Sequence, residues 1–190
     1  MMISAILLAA GQSKRMNGEN KLTKGVQGIP LIKLAVKNIL ASSINELIVV
    51  GYQKEIIGKL IDKHEKIKFI FNKDFESGMA SSIKTGLDNL SEKTEAFFIC
   101  LGDMPMVNYD IYNQLIKSKD NKEIIVPTYK GQQGNPILFD KSMKEKVIAI
   151  SGDSGAKKIL ELNKDKILNL EINDQSITKG FNTQGDFSSL

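Results

Sequence analysis

The chain has 190 residues, 42% of them hydrophobic and 25% charged, with a net charge of +4, which predicts one domain with an ordinary buried core. A single Cys and a single His exclude a disulfide framework and a structural zinc site, which needs about four such ligands. Because His64 is the only histidine, a Ser-His-Asp enzyme would have to use it. Of the 26 basic residues, Arg15 is the only arginine.

The cell compartment and the broad partner classes follow from the same composition. Residues 1–10 are apolar, but the positive charges of Lys14 and Arg15 follow this run, whereas an export signal begins with its positive charge. No stretch reaches the roughly 18 apolar residues of a membrane span, and the lone Cys100 is typical of a reducing compartment. These observations predict a cytoplasmic protein that does not bind membrane. Because no run of five basic residues occurs, we expect no binding to nucleic acid either.

Short apolar segments recur along the chain and predict strands. Continuous apolar character over four to six residues is typical of strands that are buried on both faces of a parallel sheet. Four segments have this character, 3–8, 47–50, 67–71 and 96–101, and two weaker candidates are 124–126 and 167–170.

Five helices are predicted between these strands, because apolar residues recur there every three or four positions. The stripes are Leu31 to Ile39 after Pro30, then 56–61, then Met79, Ile83 and Leu87, then 111–116 after a capping Asn108, and finally 156–160. Strands that alternate with helices predict an α/β fold, a single-domain doubly wound and mostly parallel sheet with helices on both faces, over residues 1–190. Ligands of such sheets bind beyond the carboxyl ends of the strands, here after Leu8, Phe71 and Leu101.

The loop after the first strand is predicted to bind phosphate. Small residues allow a tight turn that brings the backbone close to a ligand, while a hydroxyl and two cations can bind phosphate oxygens. The pattern is neither the Rossmann glycine motif nor Walker A, and the alternative is a loop whose basic residues are merely solvated. The nucleotide-binding candidates are Leu8, Ala9, Ala10, Gly11, Ser13, Arg15 and Lys21.

A carboxylate follows the strand at 96–101, in Gly102-Asp103-Met104-Pro105. At the carboxyl end of a buried strand, facing the phosphate loop, Asp103 is well placed to hold Mg²⁺, which commonly uses one or two carboxylates plus substrate phosphates. The alternative is a simple turn, because Asp and Pro both favour turns.

These motifs together resemble a known family. Leu8-Ala-Ala-Gly-x-Ser-x-Arg-Met, followed by Asn20-Lys21-Leu22, is similar to the MocA-like molybdenum cofactor cytidylyltransferases and related molybdenum hydroxylase accessory nucleotidyltransferases, over about residues 2–187. The resemblance implies a Rossmann-like nucleotidyltransferase fold and a loop that wraps a triphosphate. It also implies catalytic roles for Arg15, Lys21 and Asp103, with Asp103 binding Mg²⁺.

Three further motifs carry implied roles. Gly78 and Ser82 lie where the family places the ribose and base, although Ser77 could simply cap a helix and Met79 and Ile83 fit its core. Gly134 and Asn135 are implied on the acceptor side, as is Asp153, which could equally be a helix cap. Two glutamines, Gln132 and Gln133, replace the basic residues that are usual between the glycines, and Asn182 stands where many cytidylyl-type members have aspartate.

The implied reaction is transfer of CMP from CTP to a molybdopterin-type acceptor, with release of pyrophosphate. The alternatives are GTP as the nucleotide, another phosphorylated acceptor, or a non-catalytic protein that delivers the cofactor to a molybdenum hydroxylase client. Two residues receive no functional role, since His64 fits a solvated surface and Cys100 fits the core.

Overall fold

Strands and helices alternate along the computed structural model, which describes residues 1–11, 20–120, 122–152 and 156–188. The strands are β1 (Ile3–Ala9), β2 (Gly25–Val26), β3 (Ile29–Pro30), β4 (Glu46–Gly51), β5 (Ile67–Phe71), β6 (Ala96–Leu101), β7 (Ile124–Tyr129), β8 (Gln132–Gln133), β9 (Ile137–Asp140) and β10 (Ile167–Glu171). The helices are α1 (Leu31–Leu40), α2 (Lys54–Leu60), α3 (Met79–Asp88), α4 (Tyr109–Lys117), α5 (Lys144–Ile148), α6 (Lys157–Leu162) and α7 (Gln184–Ser188).

Among the described residues, eight strands form the main sheet in the order β10-β7-β9-β6-β1-β4-β5, and β8 pairs with β7. The central strand β1 pairs in parallel with β4 and β6, and β5 extends the parallel part at one edge. Strand β9 lies antiparallel between β6 and β7, and β10 pairs in parallel with β7 at the other edge. Strands β2 and β3 form a separate antiparallel ribbon. The predicted mostly parallel sheet is confirmed.

Helices cover both faces of the sheet, as the alternating pattern predicts. Helices α1, α2 and α4 bury residues such as Ile32, Ile57 and Ile111 against one face. Helices α3, α5 and α6 bury residues such as Ile83 and Val147 against the other. Alternate residues of the central strands therefore contribute to two separate apolar layers, which is why those strands carry continuous apolar runs. None of the helices in the described parts of the chain has the length and apolar character needed to span a bilayer.

Three local expectations from the sequence are wrong. Segment 67–71 is an edge strand rather than a strand buried on both faces, and its Phe71 is 54% exposed. Met79 begins α3 but is exposed, whereas Ile83 is buried as expected. The Ser77 hydroxyl donates to the carbonyl of Asp74 instead of capping α3, which follows Gly78.

Other expectations are confirmed. The Asn108 side chain accepts hydrogen bonds from the backbone N–H groups of Asp110 and Ile111, and thus caps α4. Cys100 is buried, and burial raises the pKa of its thiol to about 12, so it is a core residue. His64 is exposed, and its Nδ1 accepts a hydrogen bond from the backbone of Lys66.

Candidate active site

Three polar side chains from distant parts of the sequence meet beyond the carboxyl ends of β1 and β6. The Lys21 ammonium lies 2.5 Å from Oδ2 of Asp103 and donates to Oδ1 of Asn182 over 2.8 Å. The side chains of Lys21 and Asp103 are 16% and 17% exposed, so the ion pair is largely shielded from solvent. A charge pair with this little exposure is much less screened by salt than a surface pair. The structure thus brings together two of the predicted catalytic residues and the asparagine that replaces an aspartate.

Asp103 is positioned by close backbone packing around it. The N–H of Gly102 donates to the carbonyl of Leu8 over 3.0 Å, and a Cβ at Gly102 would lie only 2.9 Å from that oxygen. The carbonyl of Asp103 accepts a hydrogen bond of 2.8 Å from the N–H of Phe181. Glycine is therefore required before the aspartate, because a side chain would push β6 away from the end of β1.

Lys21 is placed by a short helical turn, Lys21–Thr23, directly after the phosphate-loop candidates. The side chain of Asn20 caps this turn by accepting from the N–H of Leu22, and its amide donates to Oε1 of Gln53 over 2.6 Å. Leu22 is buried, which anchors the turn against the core. The position of the ammonium is therefore set by burial of its neighbours on both sides.

Asn182 is fixed by a capping box that the sequence analysis missed. The Asp186 carboxylate accepts hydrogen bonds from the backbone N–H of Asn182 over 2.7 Å and from that of Thr183 over 2.6 Å, and also from the Thr183 hydroxyl. These bonds, together with the charge of Lys21, lower the pKa of Asp186. The spacing Thr183-x-x-Asp186 is the sequence signal of such a box and could have identified it.

The donor set at Asp103 fits a hard cation. A carboxylate oxygen and an amide oxygen, those of Asp103 and Asn182, already lie around one positive charge, the ammonium of Lys21. Mg²⁺ and similar ions bind such oxygens and complete their coordination with substrate phosphates and water. Across the described ranges no group of three or more His, Cys, Asp or Glu side chains could hold a metal. From the described residues, Asp103 and Asn182 would therefore supply the ligands for a metal bound together with phosphates.

The amino end of α3 faces the same edge of the sheet. Gly78 precedes the helix with a φ of +102°, a conformation that favours glycine. Ser82 is buried, and its hydroxyl accepts a hydrogen bond of 2.9 Å from the amide of Asn72, which also donates to Ser81. Asn72 itself is 1% exposed and donates its backbone N–H to the carbonyl of Gly51. The sequence analysis missed Asn72, which ties the ends of β4 and β5 to the start of α3.

The predicted acceptor motif follows β8 and lies beside Pro127 of β7. Gly134 donates to the carbonyl of Pro127, and a Cβ there would lie 2.4 Å from the carbonyl oxygen of Ile177, so only glycine fits. The N–H of Asn135 donates to that same Ile177 oxygen over 2.8 Å, and the Asn135–Pro136 peptide bond is cis. Strands β7 and β8 form an antiparallel hairpin that is joined through Lys130 and Gly131, both at positive φ.

The remaining predicted site residues lie at the end of β1 or outside the described residues. Leu8 and Ala9 end β1, Ala10 follows as a buried residue, and Gly11 is exposed with nothing within 4 Å of the position that a Cβ would occupy. Ser13, Arg15 and Asp153 lie outside the described residues.

Comparison with known proteins identifies the family of the chain. The family model of the MobA-like NTP transferase domain matches residues 5–168. The molybdenum cofactor cytidylyltransferase of Escherichia coli (strain K12) is 28% identical over 185 residues, covering 97% of this chain and 93% of that protein. A probable molybdenum cofactor guanylyltransferase of Methanosarcina mazei is 27% identical over 147 residues, covering 74% of this chain and 64% of that protein.

A solved structure from Mycobacterium tuberculosis H37Rv, in complex with manganese, superimposes with a TM-score of 0.81 at 17% identity, covering 99% of this chain and 97% of that one. This likeness shows that the fold is shared. Together with the family match over most of the chain, it leads to one assignment. The chain belongs to the MobA-like NTP transferase family and is a nucleotidyltransferase.

Proposed function

We propose that this nucleotidyltransferase transfers CMP from CTP to the terminal phosphate of a molybdopterin-type acceptor and releases pyrophosphate. The observation that carries the proposal is the convergence of Lys21, Asp103 and Asn182 at the carboxyl ends of the central strands. The similarity to the E. coli cytidylyltransferase over nearly the whole chain supports the choice of reaction.

The reaction needs alignment and charge stabilisation more than proton transfer. An oxygen of the acceptor phosphate attacks the α-phosphorus of CTP, and the bond from that phosphorus to the oxygen bridging to the β-phosphate breaks. Because the attacking phosphate is already anionic, no strong general base is needed, and the barrier falls mainly through positioning and electrostatics. Mg²⁺ held by Asp103 would supply charge stabilisation at the phosphates.

Two cations share the task of neutralising the triphosphate. Lys21 and Arg15 stabilise the negative charge that passes to pyrophosphate. A planar guanidinium binds two phosphate oxygens at once, which an ammonium does not. The nucleotide site is completed by the segment 8–11, Ser13, Gly78 and Ser82, and the acceptor is contacted by Gly134, Asn135 and Asp153.

The decisive experiment measures pyrophosphate release with CTP against GTP, with Mg²⁺, in the presence and absence of molybdopterin. Release that depends on CTP and on molybdopterin is expected. Release with GTP but not with CTP would assign the guanylyl reaction. The similarity to the Methanosarcina protein and the presence of Asn182 both favour that alternative. Release that is independent of molybdopterin would contradict the proposal that molybdopterin is the acceptor.

A non-catalytic role in delivering the cofactor to a molybdenum hydroxylase is the second candidate. It is favoured by the exposed Gln132 and Gln133, which stand where basic residues are usual, and by Asn182 in place of a carboxylate. Tight binding of molybdopterin with no pyrophosphate release from CTP or GTP would establish this role instead.

Substitution of the only arginine tests the nucleotide site directly. In Arg15→Lys the charge remains and the bidentate contact is lost, so we expect a larger loss of turnover than in any other conservative exchange of a basic residue. The matched control is Lys37→Arg on the exposed side of α1. Near-normal pyrophosphate-release kinetics for Arg15→Lys would contradict the assignment of the loop.

A further inference from the structure

Lys21 occupies the place where a divalent cation would neutralise Asp103. Its ammonium lies 2.5 Å from Oδ2 of Asp103 and 2.8 Å from Oδ1 of Asn182, so the two oxygens that suit a metal both contact the lysine. Neither member of the ion pair is more than 17% exposed. Among the described residues, this lysine is therefore the cation that contacts the carboxylate of Asp103.

Among the described residues, the charges around Asp103 oppose a second cation. The ammonium of Lys21 contacts the carboxylate of Asp103, and the amide of Asn182 is neutral. The Asp186 carboxylate is already met by the N–H groups of Asn182 and Thr183 and by the Thr183 hydroxyl. An ion that approached Asp103 would lie a few ångströms from the ammonium, where repulsion between like charges is strong in a shielded pocket.

We propose that Lys21 is the resident counter-ion of Asp103 and keeps free divalent cations out of the site until a nucleotide triphosphate arrives. The phosphates compete for the ammonium and free the carboxylate, so Asp103 accepts a metal together with the nucleotide and not before it. The second half of this inference rests on the proposed function, because it requires a triphosphate beside Asp103. The first half concerns the protein alone.

Asn182 is essential to this balance. An aspartate at this position would add one negative charge beside Lys21, and the pocket would then attract a cation even with the lysine in place. Asn182→Asp and Lys21→Met thus raise the net negative charge of the pocket by the same amount through two unrelated changes. If charge balance controls metal entry, both variants gain affinity for a free metal.

The test is a titration of the full chain with Mn²⁺ in the absence of nucleotide, followed by electron paramagnetic resonance of the unbound ion. We expect weak binding by the wild type and a gain of about tenfold or more in both variants, since one unit of charge is removed or added within a few ångströms. Lys21→Met combined with Asp103→Asn should lose the gain. Lys33→Met, which breaks the exposed pair with Asp62, is the control and should leave Mn²⁺ affinity unchanged.

Thermal unfolding of each variant separates loss of the pocket from loss of the fold. If Lys21→Met does not fold, Asn182→Asp decides the question, because this variant retains Lys21 and has a side chain of the same size at position 182. Unchanged Mn²⁺ affinity in folded variants would overturn the proposal, as would wild-type binding that already equals theirs.

Adding CTP or GTP separates this inference from the proposed reaction. Nucleotide should raise the Mn²⁺ affinity of the wild type at least to that of the variants. If the variants gain affinity and no nucleotide supports pyrophosphate release, the proposed reaction fails and the role of Lys21 as counter-ion stands. If release is normal and the variants gain nothing, the reaction stands and the counter-ion role fails.

Discussion

Two lysine–carboxylate pairs lie at opposite ends of the central strands, and they are built differently. At the amino end, Glu46 is the first residue of β4 and is 6% exposed. Its carboxylate accepts hydrogen bonds from Lys68 over 2.6 Å, from the hydroxyl of Ser4 over 3.0 Å and from the backbone N–H of Ser91 over 3.1 Å. The Ser4 hydroxyl is in turn 2.8 Å from that of Thr94. At the carboxyl end, the carboxylate of Asp103 accepts a hydrogen bond from the ammonium of one long side chain, Lys21.

The number of hydrogen-bond donors to each carboxylate distinguishes a residue that stabilises the fold from a residue of the candidate active site. Glu46 keeps a backbone donor and a short hydroxyl whatever Lys68 does, so its charge is permanently satisfied. Asp103 has a fixed backbone, through the bond from Phe181, but among the described residues its carboxylate accepts a side-chain hydrogen bond from Lys21 alone, so a single donor has to be displaced before another cation binds. A buried charge with redundant donors stabilises a fold, whereas a charge with an exchangeable partner can take part in chemistry.

The largest expected effect is on turnover, from Asp103→Asn. The change keeps the size of the side chain and removes its charge, so the variant would lose the carboxylate that the proposed reaction uses to hold a metal at the end of β6. We expect turnover to fall by about 10²- to 10³-fold or more, as for the loss of other electrostatic groups in active sites. Pyrophosphate release measures it.

The melting temperature of Asp103→Asn provides the control for this comparison. It should change little, because the surrounding backbone bonds remain. A variant with full turnover, or one that unfolds, would mean that Asp103 belongs to the scaffold as Glu46 does.

A smaller effect, on stability, is expected from the matched change Glu46→Gln. Loss of the carboxylate leaves buried donors without a full acceptor, which costs about 1–3 kcal/mol of the free energy of unfolding. Urea denaturation measures this loss, and turnover of the folded variant should equal that of the wild type. Unchanged stability would show that Lys68 and solvent satisfy the site without the charge.

The smallest effect is the pH dependence of the Glu46 contribution. Burial acts to raise the pKa of Glu46, but hydrogen bonds from Lys68, Ser91 and Ser4 outweigh it, so the pKa lies below its usual value. The stabilisation is therefore complete above the ordinary carboxyl range and is lost as the pH falls through the lowered pKa. Urea denaturation of the wild type and of Glu46→Gln should give curves that converge on acidification. A constant difference down to strongly acidic pH would contradict this.

Sequence patterns predicted those parts of the molecule that depend on local periodicity. The runs in β1, β4 and β6 and the stripe of α4 with its Asn108 cap follow from residues close in the chain. Strand β9 was missed because its four residues follow a proline in a turn-rich loop, and only pairing with β6 and β7 makes them a strand. The edge position of β5 depends likewise on what lies beside it, which an apolar run does not encode.

The candidate site shows the same limit. Lys21 and Asp103 could be chosen from their motifs, because each follows a buried strand of a predicted parallel sheet. Their direct contact across 82 positions, and the contact of Lys21 with Asn182 across 161, depend on the tertiary fold. The buried hydrogen-bond network of Glu46 could not be predicted from the sequence, because a charged residue at the start of a strand is common. Only the tertiary fold brings Ser4 and Ser91 next to its carboxylate.

The capping box at Asp186 has a consequence for the timing of synthesis. Phe181 and Asn182 contact Asp103 and Lys21, so a nascent chain that has emerged only as far as β10 contains Lys21 and Asp103 but lacks one wall of the pocket. The pocket is therefore incomplete until residue 186 has been synthesised. Until then Lys21 lacks the contact with Asn182, and the growing chain lacks the wall of the pocket that this residue forms.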